Sequence, residues 1–421
     1  MNNLNLIVDE KIYRQFKGSD WPKFENFIAG DYVVNEKINS EIKEFIARME
    51  ERYKNLTFEN TNELSLSNQQ RQKQIFYNKK YKGPDTCRIP WETLGINANG
   101  NVFICQSPSW VPIFIGNIKD CDNIYEILNN HQAKKIRQEI LNGRYFYCNS
   151  TICAFFQRKS KISYNQTHTQ EDEIPSTIED NVDLYVNQIP HELIFDFDYS
   201  CNYKCPSCRT EFLNYNNHSI IRSVNNILAE KIKRLIIDKI DNQPIKIRWC
   251  GGEPFLSEVY IDLFEYIISK NKKNIKNIIQ TNGSLLIAKK DLIEKFLPYV
   301  QDLRISFDAG CEETYKITRI GGQWQNLLDN VKFVQNLIHA KKLDTKVFAD
   351  FVVQKNNYQD LPQFVELCKS LQINFNIQKM WNWGTWDNNI FEEMNVYNVD
   401  HPLYEDVKKH FILAKLPMAK N

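Results

Sequence analysis

Three cysteines within eight residues, Cys201, Cys205 and Cys208, follow directly on an alternating apolar and polar segment at 193–198, and that junction limits the folds open to the chain. Alternation of this kind reads as a strand, so the thiols are delivered at a strand's carboxyl end. The same pattern repeats downstream. Further strands are expected at 245–250, 278–280, 303–308, 347–354 and 375–380. Residues 257–270 and 324–342 carry apolar side chains at three- and four-residue intervals, the period of a helix packed on one face. Strand and helix in alternation imply parallel strands joined by right-handed crossovers. In such an α/β fold the functional residues gather at the carboxyl ends of the strands.

The spacing of the three thiols has a chemical meaning of its own. A four-iron, four-sulfur cluster bound by cysteine takes four thiolates, and this loop supplies three, which leaves one iron open to an outside molecule. The alternative, a structural zinc site, needs a fourth protein ligand, and the nearest histidines, His191 and His218, each lie ten residues away. One strand later come Gly251, Gly252, Glu253 and Pro254. Two glycines let backbone approach a ligand closely, and the carboxylate that follows can accept hydrogen bonds from an ammonium group.

In this order, the three-cysteine loop and the Gly-Gly-Glu strand end resemble the radical S-adenosylmethionine (radical SAM) superfamily over about residues 190–386. The resemblance implies a partial (β/α)6 barrel of the TIM type. It implies that Cys201, Cys205 and Cys208 hold a [4Fe-4S] cluster and that the methionine part of SAM chelates the open iron. Gly251, Gly252 and Glu253 would receive the amino group of SAM. Ser306 matches the family's polar residue near the ribose or carboxylate, Arg319 is offered to the carboxylate, and Asn282 would face the same cavity. The chain departs from the pattern in one place: where the family has an aromatic residue just before the last cysteine, packed on adenine, this sequence has Ser207. The activity implied is reductive cleavage of SAM to methionine and a 5'-deoxyadenosyl radical, which then abstracts a hydrogen atom from substrate. Cys250 and Cys311 either return a hydrogen atom to the substrate radical or are small buried apolar residues, the usual fate of a free cysteine.

A second cysteine group, Cys87, Cys105, Cys148 and Cys153, lies upstream. Around it the sequence reads as a hairpin turning at Asn99-Gly100 and a helical stretch over 125–142. This α+β cysteine-rich module resembles the twitch or SPASM auxiliary cluster module of radical SAM enzymes, placed here ahead of the barrel. An auxiliary [4Fe-4S] cluster on these four thiolates is implied. Structural zinc remains the alternative, and Cys121 competes as a ligand.

The boundaries expected are a helical segment at 1–80 with a helix over 38–53, the cysteine-rich module at 81–157, a polar linker at 158–189, the barrel at 190–386 and a tail at 387–421. Trp381, Trp383 and Trp386 either wall the substrate cavity, with Asn382 or Thr385 as polar contacts, or pack in the core. With 53 basic and 52 acidic residues the chain has no basic footprint, so neither nucleic acid nor a membrane surface is expected as a partner. Eleven cysteines without a signal peptide or a long apolar run point to a reducing cytoplasm. The expected protein is an oxygen-sensitive radical SAM enzyme, an oxidoreductase or transferase supplied with electrons by a flavodoxin- or ferredoxin-like reductant. Its substrate is a peptide or protein side chain, or else a carbohydrate or other small molecule. A non-catalytic iron-sulfur electron carrier or redox sensor is the reading from another class.

Overall fold

The computed structural model describes residues 87–108, 110–111, 113–141, 145, 147–148, 153, 184–217, 219–382 and 385–418. The helix expected over 38–53 and most of the linker, up to 183, lie outside the described residues. The described chain divides into two compact units, one within 87–190 and one within 191–418.

The first unit opens with a single turn, α1 (Ile89–Glu92), and an antiparallel hairpin of β1 (Thr93–Asn97) and β2 (Asn101–Phe103), to which β3 (Gly116–Asn117) adds a third strand. The hairpin turns where expected, through a 3-10 turn at Ala98–Gly100, and Gly100 takes the left-handed backbone that glycine adopts freely (φ +81°). The single helical stretch expected over 125–142 is two helices, α2 (Ile124–Leu128) and α3 (His131–Leu141). Asn129 and Asn130 cause the break, because their side chains compete for backbone groups. Asn129 exchanges hydrogen bonds with both the N–H and the carbonyl of Val186 (2.7 and 2.8 Å), while Asn130 accepts the N–H of Ala133 (2.9 Å) and caps α3. The centre of this unit is a fully buried arginine. Arg137 donates to the carbonyls of Pro90 (2.9 Å), Leu128 (2.7 Å) and Leu184 (3.0 Å), and burial pulls its pKa down to about 10.

The second unit is an open sheet of six parallel strands in chain order: β4 (Glu192–Asp196), β5 (Ile245–Trp249), β6 (Ile275–Thr281), β7 (Val300–Ser306), β8 (Lys346–Val353) and β9 (Asn374–Lys379). The crossovers contain α4 (Ser219–Leu235), α5 (Glu258–Ser269), α6 (Lys290–Phe296), α7 (Glu312–Thr318), α8 (Trp324–Lys341) and α9 (Leu361–Ser370). The alternation calls for these parallel strands, and the unclosed sheet is the partial barrel of the TIM type that the radical SAM resemblance implies.

Period-two alternation assigns the two faces of the sheet different work. Trp249 meets Tyr260 and Phe264 of α5 edge-on at 5.3 and 4.8 Å, and Phe364 of α9 touches Phe351 at 4.8 Å and Phe375 at 6.0 Å. Aromatic pairs in these arrangements contribute about 0.5–1.5 kcal/mol each beyond the area they bury. The opposite face carries Arg248, Gln280, Arg304, Ser306, Asp350 and Asn376, a polar set that no helix-packing face would tolerate. The tail expected at 387–421 holds two helices, α10 (Asn388–Met394) and α11 (Tyr404–Leu413). Tyr358 donates to Asp406 of α11 (2.8 Å) and its ring meets His410 edge-on at 5.2 Å, which fastens the tail to the same unit. No helix among the described residues is long and apolar enough to cross a membrane.

Candidate active site

The cysteine loop leaves the carboxyl end of β4 and is held by short local contacts. Cys201 exchanges backbone hydrogen bonds with Leu213 (2.7 and 3.3 Å), Lys204 N–H bonds the Ile320 carbonyl (2.8 Å), and Cys208 N–H bonds the Cys205 carbonyl (2.9 Å). The last of these makes a single turn that carries two of the three thiols. Asp198, buried at the strand end, accepts the N–H of Ser200 (2.8 Å) on one oxygen and the hydroxyl of Ser257 (2.6 Å) on the other.

Every one of the three sulfurs is met by N–H donors. Cys201 Sγ accepts the backbone N–H of Tyr203 (3.4 Å) and lies 3.9 Å from the amide of Asn282. Cys205 Sγ accepts from Arg319 (3.5 Å), and Cys208 Sγ accepts from Arg209 (3.6 Å). Donors of this kind stabilise sulfur as thiolate, the form that binds iron, and set the potential of a cluster. Burial alone works the other way: it pushes the Cys201 thiol up to about 11, with Arg209 opposing, and raises Cys205 against Arg319. Among the described residues no three ligand-type side chains converge on one ion. Three thiolates alone leave a structural zinc one protein ligand short, whereas a cluster can bind one cysteine on each of three irons.

The Gly-Gly-Glu turn sits against this loop. Gly252 N–H bonds the Asp198 carbonyl (2.9 Å) and Glu253 N–H bonds that of Ser200 (2.6 Å). A Cβ at position 252 would collide with the Ser200 carbonyl oxygen, and Gly251 has φ +102°, so both glycines are required by geometry. Glu253 is buried and points at its own chain: its carboxylate accepts the Thr281 hydroxyl (2.7 Å), the Asn282 N–H (2.6 Å) and the Phe255 N–H (3.1 Å). A carboxylate has about four acceptor positions, which leaves about one for an outside ammonium. Burial raises the pKa of Glu253 to about 6 against these three donors.

The remaining sequence candidates fall around the same strand ends. The Asn282 amide reaches Asn202 (2.8 Å) as well as Cys201. Ser306 ends β7 and accepts from Gln280 (2.9 Å). Arg319 is fastened to Asp308 (2.8 Å), and Asp308 itself is held by the N–H of Val352 (2.7 Å) in a left-handed conformation (φ +52°). One guanidinium nitrogen of Arg319 is thus committed to Asp308 and another to Cys205, while Nε has no hydrogen-bond partner among the described residues.

Two residues that sequence reasoning missed organise the site. Arg209, directly after the last cysteine, donates to the carbonyls of Tyr199 (2.7 Å) and Gly251 (3.2 Å) as well as to Cys208, tying the loop to the glycine turn. Its position in the sequence was the available signal. Tyr260 accepts the N–H of Phe197 (2.9 Å) and donates to the Cys250 carbonyl (3.1 Å), joining the ends of β4 and β5. Within a helix, a tyrosine reads only as one more apolar position.

Cys250 and Cys311 are both half-buried, and the Cys311 thiol lies 3.4 Å from the Thr314 hydroxyl and 3.5 Å from the Asp360 carboxylate. Trp381 is 36% exposed, so core packing does not account for it, while Trp383 lies outside the described residues. In the first unit, Cys87, Cys105 and Cys153 are buried and close enough to raise the Cys87 thiol electrostatically, after burial as the main cause. The Tyr145 hydroxyl accepts the Cys87 N–H (3.4 Å), and its pKa is raised by burial first and then by Cys87, Cys148 and Cys153. Three thiols, those of Cys87, Cys148 and Cys153, therefore lie near one phenol, and Cys105 lies near Cys87. The Cys121 thiol bonds the Ile118 carbonyl (3.6 Å).

Comparison with known proteins matches residues 198–368 to the radical SAM superfamily, the stretch that holds all three loop cysteines, the glycine turn and Arg319. This stretch of the chain is a radical SAM domain. Residues 87–154 match SPASM, an iron-sulfur cluster-binding domain, and the match brackets the four upstream cysteines. The SPASM match thus lies ahead of the radical SAM match, and the two domains imply SAM, a SAM-binding [4Fe-4S] cluster and an auxiliary iron-sulfur cluster. It is 31% identical over 174 residues to a GTP 3',8-cyclase of Aliarcobacter butzleri, covering 40% of this chain and 49% of that one. A probable GTP 3',8-cyclase of Methanococcus maripaludis is 28% identical over 177 residues, 41% of this chain and 52% of that one. The chain spans about half the length of the curated relatives it matches. Among solved structures, Streptococcus suis SuiB bound to S-adenosylmethionine is 16% identical at TM-score 0.34, covering 55% of this chain and 46% of that one. The radical SAM methyltransferase TsrM of Kitasatospora setae is 12% identical at TM-score 0.31, covering 48% of this chain and 39% of that one.

Proposed function

We propose that this chain is an enzyme that reductively cleaves SAM at a cluster held by Cys201, Cys205 and Cys208 and abstracts a hydrogen atom from a peptide or protein side chain. The observation that carries the reading is the N–H donation to each of only three loop sulfurs, two of them by arginine. When bound, the cluster and SAM supply a carbon-centred radical able to take hydrogen from an unactivated carbon. Gly251 and Gly252 keep the wall beside the loop free of side chains, and Glu253 presents its remaining acceptor position to the SAM ammonium. Arg319, braced by Asp308, balances charge on Cys205 and is offered to the SAM carboxylate, while Asn282 beside Cys201 and Ser306 at the end of β7 serve the same cofactor. Arg209 holds the loop against the glycine turn, so the radical precursor and the substrate carbon keep one separation.

Cys87, Cys105, Cys148 and Cys153 hold the auxiliary cluster in this reading, within a module over 81–157, and the barrel spans 190–386. The electron comes from a flavodoxin- or ferredoxin-like donor. The SPASM match supports the auxiliary cluster, and the peptide substrate follows from the resemblance of the cysteine-rich module to the twitch or SPASM type. The names of the cyclase relatives support a second reading, a guanine nucleotide, although those alignments are about as long as the radical domain alone and so weigh chiefly on SAM handling. The test is anaerobic reconstitution with dithionite and SAM. Release of 5'-deoxyadenosine by the wild type and its loss in Cys205→Ala supports the enzyme, whereas iron binding without any nucleoside makes the protein an electron carrier.

A further inference from the structure

Beside Ser306, the polar face of the sheet carries a row of side chains that the SAM chemistry leaves unused. Strand register sets Ser306, Asp350 and Asn376 side by side on β7, β8 and β9, and Gln280 of β6 joins the row through its bond to Ser306 (2.9 Å). At its centre is Asp350, 4% exposed. One carboxylate oxygen accepts the Asn376 amide (2.8 Å), and the other has no hydrogen-bond partner among the described residues, although Arg304, Gln280 and Arg319 lie close enough to favour the charged form. Burying a carboxylate with an acceptor unmet is costly unless a ligand meets it. Beneath it on β7, Arg304 lies over the Phe348 ring (5.5 Å) and near Asp302 (3.6 Å), and its Nε is likewise buried without a partner. A buried acceptor and a buried donor therefore lie on the same polar face of neighbouring strands, the side on which Ser306 sits.

We propose that Asp350, with Asn376, Gln280 and Arg304, is the substrate subsite, and that it recognises a planar group presenting an N–H donor beside a carbonyl acceptor, a carboxamide or lactam edge. The N–H is given to the open Asp350 oxygen and the carbonyl takes the Arg304 Nε–H. An acceptor-only carboxylate rejects an edge that has only acceptors, so the row selects as well as binds. This assignment rests on the proposed function and names the substrate chemistry of that same site. Such an edge has two sources within reach of the two substrate readings: the side chain of glutamine or asparagine in a peptide, and the guanine base of a nucleotide.

The test uses the full chain, reconstituted anaerobically and loaded with SAM, with binding read by calorimetry. The probes are acetyl-glutamine methylamide, guanosine 5'-triphosphate, and adenosine 5'-triphosphate as the control that has phosphates and no lactam. One of the first two is expected to bind, adenosine 5'-triphosphate to bind at least about 10-fold more weakly, and Asp350→Asn to weaken the bound probe about 10- to 100-fold. Asn376→Ala, which leaves the Asp350 carboxylate in place, is expected to weaken it about 3- to 10-fold. Whichever probe binds identifies the source. The change that SAM makes to the electron paramagnetic resonance of the reduced cluster is recorded on the same samples. If the wild type shows no such change, the proposed function fails and this assignment falls with it. If the change is present and neither probe binds, or Asp350→Asn binds the probe as the wild type does, the subsite alone is wrong. Loss of the SAM response in Asp350→Asn also overturns it, because the residue then belongs to the SAM pocket.

Discussion

Glu253 shows how a buried acid can be both fixed and poised. Burial lifts its pKa from 4.5 to about 6 against three hydrogen-bond donors. The folded chain therefore holds this proton more tightly than the unfolded chain does. The stability it adds is complete below pH 4.5 and is lost as pH rises through about 6, a difference of about 2 kcal/mol. Urea denaturation of the cluster-free protein across that window should show the slope, and Glu253→Gln should flatten it while lowering stability at every pH, since an amide cannot accept at both ends. An unchanged slope in the variant would show that another group titrates. Arg209 supplies a second prediction. Removing its fork in Arg209→Ala leaves the carbonyls of Tyr199 and Gly251 without that donor, and the expected cost is about 1–3 kcal/mol. Thermal denaturation reads the cost, and iron content reads the loosened loop. Neither residue's partners were legible in the sequence, because burial and hydrogen bonding to backbone arise only once distant segments meet.

At the scale of elements, the sequence reading did best where one periodicity ran without competition. The strands read at 245–250 and 347–354 form as Ile245–Trp249 and Lys346–Val353, and the helix read over 257–270 forms as Glu258–Ser269 with Ser257 as its cap. The strand read as 278–280 runs over Ile275–Thr281, because buried Asn277 interrupts the apolar run yet is paired with the Trp249 indole (2.9 Å). The helix read over 125–142 divides because Asn129 binds the Val186 backbone outside it and Asn130 caps the second helix by accepting the Ala133 N–H. Tyr260 is the sharpest case of information that no local pattern carries, since its hydroxyl serves the ends of two strands. Tyr260→Phe keeps the ring contacts and leaves a buried N–H and a carbonyl unpaired, so a loss of about 2–4 kcal/mol is expected by denaturant titration. A cost below about 1 kcal/mol would mean that the hydroxyl is not what joins the strands.

For the whole molecule, two cysteine groups in two compact units imply two clusters that load independently. Each takes about four irons. The wild type should therefore hold about eight irons, and the triple variant with Cys201, Cys205 and Cys208 changed to Ala about four. Loss of all iron in the triple variant would contradict a second cluster, and a zinc signal in metal analysis would replace that cluster by a structural zinc site. The polar face of the sheet belongs to this scale too: its residues are scattered over β6 to β9 and become a row only through strand register.

The central claim is that one iron beside the Cys201 loop binds SAM directly. Electron-nuclear double resonance on the reduced protein with SAM labelled with nitrogen-15 at its amino group measures this bond. The account predicts a nitrogen-15 coupling large enough to require an iron–nitrogen bond, absent from the variant that lacks the three loop cysteines. A wild-type cluster spectrum without any nitrogen-15 coupling, under SAM saturation, would contradict it.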